Sequence, residues 1–522
     1  MQKNIADQNK EEFRSHVTDF TYEAITTYEL KLLSIINQII EKPFWYQKIN
    51  NQEIRSKWYK ELQDSEQFPV KMIDFALEEL LYKANNEFFV KKLPDGACIT
   101  CGPVEETFIS DNLINNELLE DLKKCVSVLE NVPDSEKDWH PYSNNLVLDL
   151  VHPSLYCIKS GKTLSKDGNT IMLSADGNDV FQWIPSDVFI DADYSAKLLS
   201  PINSLHPEIH KNTTEVIMKI FSKFIPMFEN MLNVILNGPP GSRIKLPYTL
   251  WDEFDESEPE GVEAQEEYYR RMDEYHDNRP LLDPELNDFK PYIIKKPYSL
   301  LNKHVQVIVK LANIQLTPEK PKYDGGVWHC EGTQHENIVS TGIYYYDNKN
   351  ITQSKLSFRV GVFEPWYEQG DNRGMGLGYG LHDEELLIQP VGSIISKEHR
   401  SIVFPNTMQH LVEPFELEDK TIPGHRKILA FFLIDPTKKI HSTGDIQPQQ
   451  LNWTLDMLQE ILKNKLPPEI ILEIVKRVDG LISLETAKEW RLELMEARKA
   501  SNEMFYDHDG PVFLRHFSLC EH

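Results

Sequence analysis

The feature that most constrains the fold of this chain is a succession of strand-forming runs between Val305 and Leu433, with no helical pattern among them. Runs that are rich in β-branched and aromatic residues and bounded by turn residues predict short β-strands. Successive strands without intervening helices favour a sandwich or jelly roll over a parallel sheet. The predicted strands are Val305–Leu316, Ile338–Tyr346, Lys355–Phe363, Glu385–Ile388, Ser401–Phe404 and Lys427–Ile434.

Apolar residues recur at helical spacing on both sides of this strand-rich segment. The pattern predicts helices between Asp19 and about Asn86, from Asn112 to Glu130, and from Trp453 to Ala500, and a long helix from Thr213 to Leu236. We therefore expect an α+β fold with a jelly-roll (double-stranded β-helix) core. The predicted regions are a mostly helical N-terminal region (1–135), a mixed α/β connecting region (136–300), the core (301–447) and a helical C-terminal tail (448–522).

Composition narrows the partners and the compartment. The formal net charge is -27 at pH 7 and the sequence pI is near 5.1. Because nucleic-acid affinity comes mainly from Lys and Arg that neutralise phosphates, we expect no binding to a nucleic-acid backbone. No apolar stretch approaches the thickness of a bilayer, and the first residues lack the apolar core of a signal peptide. The expected protein is intracellular, cytoplasmic or nuclear, with no membrane span.

Several conspicuous stretches are predicted to carry no chemistry. The acidic, proline-interrupted segment at about 251–290 lacks EF-hand spacing and predicts a solvated insertion. The glycine-rich segment Gly374–Gly380 lacks the Lys-Ser/Thr of a phosphate loop and predicts a flexible loop. Cys98 and Cys101 form a CxxC pair without a second pair at zinc spacing, which predicts free thiols in a turn. The proline-flanked histidines, for which we predict structural hydrogen bonds, are His140, His152 and His206.

Candidate metal ligands follow a Gly-Gly turn in the core. His329 and Glu331 are two residues apart on a predicted strand, so their side chains point to the same face. His410, which follows the strand ending at Phe404, supplies a second imidazole. Two imidazoles and one carboxylate form the facial triad that suits Fe(II) and leaves other positions open, whereas structural zinc usually takes a closed tetrahedral set. Nearby substitutes, should Glu331 not be the ligand, are Asp324, His335 and Glu336.

Arg426 stands at the start of the last predicted core strand. It shares a face with Ile428, Ala430 and Phe432, so if that face lines the core, its guanidinium is partly buried and needs an anionic partner. A carboxylate held bidentately is the best match to its planar fork. An exposed strand-end arginine, or an ion pair with a protein acid, remains an open alternative.

The order of these pieces, His-x-Glu, a distal His and then an Arg on the following strand, resembles that of the 2-oxoglutarate- and Fe(II)-dependent oxygenases with a double-stranded β-helix fold. At finer range, most of the chain resembles a fungal family known only as domain-of-unknown-function family 4246, which supplies no activity of its own. The stretches that carry this second resemblance are Glu136–Pro141, Leu148–Tyr156, Asn203–Pro207, Gly326–Gly332, Phe404–Asn406 and Pro423–Lys427.

The oxygenase resemblance implies a catalytic centre in which His329, Glu331 and His410 hold Fe(II), and in which Arg426 pairs with the distal carboxylate of a 2-oxoglutarate cosubstrate. The implied reaction is oxidative decarboxylation of 2-oxoglutarate coupled to hydroxylation or demethylation of an unidentified substrate. The chain departs from the commoner pattern at Glu331, where most such oxygenases carry Asp. The longer side chain can still ligate a metal, but it alters the geometry.

The same resemblance implies cosubstrate contacts on the strands that flank the His-x-Glu pair. The residues concerned are Asn313 and Gln315 on the preceding strand, and Tyr344 and Tyr346 on the following one. A packing role is an equal alternative for each of them.

Two other functions stay open. In a cupin-like metal enzyme without 2-oxoglutarate, Arg426 would bind the acid group of the substrate, although such enzymes usually carry His-x-His where this chain has His329-Cys330-Glu331. A non-catalytic jelly-roll binding or scaffold protein is favoured if the three candidate ligands diverge in space. The C-terminal helices are expected to pack on the core or to form a homodimer.

Overall fold

The structure is a computed structural model that describes residues 13–15, 20–174, 180–245, 259–278, 284–333, 335–367, 371–503 and 512–519. Its helices are α1 Thr27–Ile40, α2 Trp45–Lys48, α3 Gln52–Asp64, α4 Val70–Ala84, α5 Asn116–Glu130, α6 Lys211–Asn237, α7 Val262–Asn278, α8 Asn372–Tyr379, α9 Leu451–Leu462, α10 Pro468–Val475 and α11 Leu484–Glu503. Its strands in the first 300 residues are β1 Val90–Lys92, β2 Cys98–Cys101, β3 Phe108–Ser110, β4 Val147–Val151, β5 Ile158–Lys159, β6 Phe181–Gln182, β7 Ser186–Ile190, β8 Ala196–Leu198, β9 Ile244–Lys245 and β10 Glu285–Leu286. The later strands are β11 Lys303–Leu316, β12 Lys322–Tyr323, β13 Ile338–Lys349, β14 Lys355–Gly361, β15 Ile388–Ile395, β16 Ser401–Pro405, β17 Gln409–Val412, β18 Phe415–Glu416 and β19 Gly424–Ile434.

The strands form one large and several small sheets. The large sheet has ten strands in the order β1-β2-β3-β16-β13-β19-β11-β7-β8, and β4 also pairs with β11. A smaller sheet has the order β15-β14-β17. Neighbouring strands in both sheets are antiparallel. This combination of helices with antiparallel sheets confirms the α+β prediction.

The central strands of the large sheet are apolar on both faces because both faces are covered. On one face, Ile343 and Phe432 pack with Phe358 of the small sheet, and we call the space between the two sheets the inter-sheet space. On the other face, Tyr344 and Phe431 pack against α6. The absence of a side chain at Gly342 permits this close approach, since a Cβ there would lie 2.9 Å from ring carbons of Phe224 and Phe228 on α6.

The large sheet crosses the predicted region boundaries. β3, from the predicted helical N-terminal region, pairs with β16, while β4 and β7, from the connecting region, pair with β11. Cys98 and Cys101 accordingly lie buried on β2 rather than in the predicted turn. The prediction of free thiols is confirmed for the cysteines that the structure describes, namely Cys98, Cys101, Cys125, Cys157 and Cys330.

Two segments differ from expectation. Gly374–Gly380, predicted to be a loop, is mostly helix α8, whose first turn is capped by the Asp371 carboxylate, which accepts the Gly374 N–H at 2.8 Å. The predicted strand Glu385–Ile388 overlaps β15 only at Ile388. In the acidic segment, residues 251–258 and 279–283 lie outside the described part of the chain. The rest of that segment includes helix α7, none of whose described side chains is buried.

The C-terminal tail is helical, as predicted, in the residues that the structure describes. Its helices α9 and α10 leave Met457, Ile461 and Ile474 exposed. Self-association through these helices stays a prediction. No helix in the described ranges is both long enough and apolar enough to cross a membrane.

Candidate functional site

The candidate metal ligands meet because the extended segment around His329 pairs with β17, at the edge of the small sheet. The His329 N–H donates to the His410 carbonyl at 3.2 Å, and the His410 N–H donates to the His329 carbonyl at 3.0 Å. This antiparallel bridge joins the His-x-Glu segment to β17. The alternation of side chains then places Glu331 on the same side as both imidazoles.

The three side chains converge. Nε2 of His329 lies 3.7 Å from Oε1 of Glu331, and Nε2 of His410 lies 3.4 Å from the same oxygen. One potential ligand atom of each residue lies within 4.8 Å of the others, which is compatible with a single shared ion. Glu331 and His410 are buried, whereas the His329 side chain is 42% exposed, so the group opens to solvent on the His329 side.

Surrounding contacts orient these ligands. Nδ1 of His329 lies 2.8 Å from the Val327 carbonyl, so it carries the ring proton and leaves Nε2 with a lone pair. Asn406 fixes the Glu331 backbone by accepting its N–H at 2.9 Å and donating to its carbonyl at 2.8 Å. The His410 ring rests edge-on against Phe404, 4.9 Å between ring centroids, in the inter-sheet space.

The electrostatics of the group favour an ionised Glu331 and a neutral His410, whereas they favour the protonated form of His329. Burial would raise the pKa of Glu331, but hydrogen bonds and charge from both histidines outweigh it and hold that pKa well below its ordinary value. Burial, together with neighbouring His329, lowers the pKa of His410 to about 4. Burial also acts to lower the pKa of His329, but the hydrogen bond and charge of Glu331 raise it overall. The site thus holds an ionised carboxylate beside a neutral His410 at neutral pH.

Arg426 lies in the same inter-sheet space. It is only 3% exposed, and its guanidinium carbon sits 4.8 Å from the centroid of the Tyr345 ring. Its Nε is buried without a hydrogen-bond partner, and no carboxylate among the described residues forms an ion pair with it. A buried, unpaired guanidinium is costly, and an anion that enters the space would relieve that cost. The alternatives of an exposed arginine or a pair with a protein acid therefore do not hold within the described residues.

The proposed substitutes for Glu331 have other roles or positions. The side chain of Asp324 is 85% exposed and pairs with Lys322 at 2.7 Å. Glu336 is fully buried and binds Arg498 at 3.0 Å and the Trp183 N–H at 2.8 Å, so it joins α11 to the segment that follows β6. His335 is not among the described residues that converge on His329 and His410.

The predicted cosubstrate contacts require correction. Asn313 is paired in register with Lys427, and its neighbour Ile314 with Arg426, so Asn313 faces away from the inter-sheet space. The amide of Asn313 donates to Glu130 of α5 at 2.7 Å and accepts the Tyr346 hydroxyl at 3.2 Å. The same alternation places Gln315 with Asn313, while Tyr344 packs with the α6 cluster on the outer face. All four residues therefore have packing positions, which was the alternative interpretation.

The structure also brings together a group that the sequence analysis left separate. His140, Asp149 and His152 each place a potential ligand atom within 4.8 Å of the others. His140 Nδ1 lies 2.8 Å from the Asp149 carboxylate, and His152 Nδ1 accepts the Ser154 N–H at 3.2 Å, so the predicted hydrogen-bonding roles hold for both histidines. Asn144–Asn145, in left-handed backbone conformations, form the turn that folds His140 back onto β4, and this Asn pair was the available sequence signal.

Comparisons with known proteins give a family match and weak structural likenesses. A family model described as "Protein of unknown function (DUF4246)" matches residues 70–457, and one described as "Domain of unknown function DUF4246, N-terminal" matches residues 1–61. No curated protein matches the chain.

Several solved structures match the chain at low identity. IDO from Bacillus thuringiensis is 11% identical over 33% of this chain and 60% of its own, with a TM-score of 0.17. A bsmA homolog from Methylobium petroleophilum PM1 is 9% identical over 25% of this chain and 42% of its own, with a TM-score of 0.16. The chain thus spans less than two thirds of either protein. The Fe(II)/(alpha)ketoglutarate-dependent dioxygenase TqaL is 12% identical over 62% of this chain and 77% of its own, with a TM-score of 0.26. TM-scores this low carry no argument about function.

Proposed function

The chain belongs to the family of proteins of unknown function DUF4246, and from that premise we propose that it is an Fe(II)- and 2-oxoglutarate-dependent oxygenase that hydroxylates or demethylates its substrate. One observation carries the proposal. A converging set of His329, Glu331 and His410 shares the inter-sheet space with Arg426, a buried cation without a protein counter-ion among the described residues.

The strand order supports a jelly-roll core. Along the chain, β11, β13, β16 and β19 belong to the large sheet, while the His329 segment, β14, β15 and β17 lie on the side of the small sheet. The chain therefore passes repeatedly between two facing antiparallel sheets, as in a double-stranded β-helix. In this arrangement the ligands on one sheet face Arg426 on the other.

The residues fit the metal that the proposal requires. Two imidazoles and one carboxylate on one side of an ion form the set that suits non-haem Fe(II) and leaves coordination positions for a chelating cosubstrate and for dioxygen. The proton on Nδ1 of His329 directs its Nε2 toward the shared position. The Glu331 side chain is held ionised by the two histidines.

Arg426 fits the distal carboxylate of 2-oxoglutarate, since a planar guanidinium binds a carboxylate through two parallel hydrogen bonds. When bound, iron and 2-oxoglutarate would supply the oxidising chemistry: dioxygen gives one oxygen atom to the substrate C–H and one to 2-oxoglutarate, which leaves as succinate and CO2. The tasks of the chain itself are to hold the metal, to orient the cosubstrate through Arg426 and to surround both with apolar walls.

The convergence of the three ligands counts against the scaffold alternative, which expected them to diverge. The cupin-like alternative keeps the metal but assigns Arg426 to the substrate. It differs from the proposal in one measurable respect, because 2-oxoglutarate would then have no specific binding mode.

The test is anaerobic addition of Fe(II) and 2-oxoglutarate to the metal-free protein. We expect a visible charge-transfer band of the chelate in the wild type and its loss, together with bound metal, in His410→Ala. His304→Ala is the matched control, because His304 is an exposed histidine of β11 outside the site. Metal binding without the band would favour the cupin-like enzyme, and equal metal content in wild type and His410→Ala would contradict the triad.

A further inference from the structure

A second cation, Lys310, lines the inter-sheet space away from Arg426. It pairs in register with Ala430 of β19, and alternation places it on the same face as Ile308 and Ala312. The residue is half-buried. It lies where the outer edge of β11 passes from β7, which pairs with residues 303–307, to β4, which pairs with residues 311–314. The large sheet is thus narrower at Lys310 than on either side of it.

Asp149 of β4 lies on the same face of the large sheet as Lys310. It is paired in register with Ala312, the next residue of β11 on that face. The positive charge of Lys310 is among the causes that lower the pKa of Asp149 and His152. Lys310 therefore lines the inter-sheet space beside β4, in the same space as the candidate metal ligands.

No acid neutralises Lys310 within the part of the chain that the structure describes, where its ammonium has no carboxylate at ion-pair distance. Asp149, the acid that its charge influences, pairs with other groups through its Oδ2, while its Oδ1 is buried without a hydrogen-bond partner. Its Oδ2 lies 2.8 Å from Nδ1 of His140 and 3.6 Å from Nη1 of Arg491. A metal ion beside Asp149 is disfavoured as well, because His152 accepts the Ser154 N–H through Nδ1 and so carries its proton on Nε2.

Lys310 and Arg426 lie at different positions along the large sheet. Lys310 lies opposite Ala430, and Arg426 lies opposite Ile314. Four residues of strand separate the two levels, about 13 Å at the usual rise per residue. The two cations therefore lie at different levels of the inter-sheet space. If Arg426 holds the cosubstrate, the charge of Lys310 is left for another ligand in the same space.

We propose that Lys310 is a substrate-recognition residue, and that the substrate of this protein is an acid whose carboxylate or phosphate group pairs with Lys310 while the carbon to be oxidised lies at the metal. The inference rests on the proposed oxygenase function. A half-buried ammonium gains more from an anion than an exposed one does, because solvent screens the pair less. The selectivity that results is for an acid over its amide or ester.

The experiment observes Lys310 directly and needs no metal. Reductive ¹³C-methylation of the full-length protein keeps lysine charges, and the Lys310 signal is identified by its absence from Lys310→Arg. Acetate and inorganic phosphate are then titrated, with acetamide as the neutral control and the exposed Lys463 as the internal reference. We expect one or both anions to shift the Lys310 signal saturably, at concentrations about tenfold below those that affect Lys463. A response no stronger than that of Lys463 to both anions overturns the inference.

Two further arms separate this inference from the proposed function. In Arg426→Met, the anion response of Lys310 should persist, because that response does not depend on the cosubstrate site. Its loss would mean that both cations report on one anion, which contradicts separate recognition. Mn(II) added to the wild type should broaden the Lys310 signal, and His410→Ala should abolish the broadening. An anion response without Mn(II) broadening would refute the proposed metal site while leaving Lys310 as an anion-binding residue.

Discussion

At the scale of single residues, the contrast between Arg426 and Lys427 shows how a strand assigns roles to two neighbouring cations. Lys427 points to the outer face, where its ammonium pairs with Glu130 at 2.9 Å and Asp347 at 3.4 Å. Arg426 points inward and has no such partner among the described residues. The charge of Lys427 is thus paired with carboxylates of the protein, whereas that of Arg426 is available to a ligand.

This contrast gives a prediction for cosubstrate affinity. Replacing Arg426 by Met removes a charge-assisted bidentate pair, a loss of about 2–4 kcal/mol, and should weaken 2-oxoglutarate binding by about 30-fold to 1,000-fold while metal content stays intact. Arg426→Lys should recover part of the loss, because it restores charge without the planar fork. Calorimetric titration into the Mn(II)-loaded protein without oxygen measures the effect, with Lys427→Met as the matched control. Equal affinities in all four proteins would remove Arg426 from the site.

A second prediction at this scale concerns acid stability. Burial, assisted by the charge of Lys310 and opposed by that of Asp149, lowers the pKa of His152 to about 3. The unfolded chain therefore takes up this proton first, so the stabilising contribution is complete above about pH 6.5 and is lost as pH falls toward 3. Between pH 6.5 and pH 5 the loss is about 2 kcal/mol for this one group.

His152→Asn keeps an acceptor for the Ser154 N–H but cannot be protonated in this range. Its free energy of unfolding should therefore fall by about 2 kcal/mol less than that of the wild type between pH 7 and pH 5. Urea titrations at the two pH values measure the difference. His304→Asn, a substitution at an exposed position, is the control and should behave as the wild type does. The same pH dependence in His152→Asn and wild type would show that His152 is not protonated on unfolding.

At the scale of elements, the sequence predicted the strands better than it predicted their alignment. Five of the predicted core strands overlap β11, β13, β14, β16 and β19, because runs of β-branched and aromatic residues identify buried strands locally. The face of each residue within a strand also follows from alternation, which is how Arg426 was grouped correctly with Ile428. The register between strands is a long-range property, and only the pairing of Ile314 with Arg426 shows that Asn313 faces outward.

Some residues of the candidate site could likewise be predicted from the sequence, and others could not. His329 and Glu331 could be paired from their spacing, and His410 could be added from the order of the motif. Lys310 gave no such signal, because a single lysine in an apolar strand reveals neither its face relative to Arg426 nor the gap between β7 and β4. The helix at Asn372–Tyr379 was missed because its glycines have low helix propensity, and the Asp371 cap and tertiary packing of Met375 outweigh that cost.

The corrected position of Tyr346 gives a prediction at this scale. Tyr346→Phe removes the hydroxyl that donates to Asn313, so it should lower the free energy of unfolding by about 1–2 kcal/mol. The affinity for 2-oxoglutarate should not change, because this hydrogen bond lies on the outer face of the sheet. Denaturant titration and cosubstrate calorimetry on the same preparation separate the two effects. A weakened cosubstrate affinity with unchanged stability would restore Tyr346 to the site.

At the scale of the whole molecule, the acidic segment is attached to the fold by a two-stranded ladder. Ile244 pairs with Leu286 and Lys245 with Glu285, so the two ends of the segment lie side by side. A two-residue turn can join antiparallel strands held in this way. The acidic segment is therefore expected to be dispensable for the candidate metal site.

Replacing residues 246–284 by Asn-Gly should leave the bound metal per chain unchanged, and the denaturant midpoint should move little, because α7 has no buried side chain among its described residues. Elemental analysis and urea titration test this expectation. A control that exchanges the same residues for a Gly/Ser linker of equal length distinguishes loss of the sequence from shortening of the chain. An unfolded or metal-free product in both variants would show that the segment is part of the core.

The pairing of β3 with β16 has a consequence for how a cell makes this protein. The ion pair beside that pairing, between Asp111 and Arg400, joins residues 289 positions apart. At ribosomal speeds of roughly 5–20 residues per second, the early strands wait about 15–60 s for their partners. During that interval they present unpaired edges and apolar faces, which are the surfaces that chaperones bind. In the proposed oxygenase, metal binding must also wait until His410, the last of the three candidate ligands, has been synthesised, so the nascent protein has a long interval in which to aggregate.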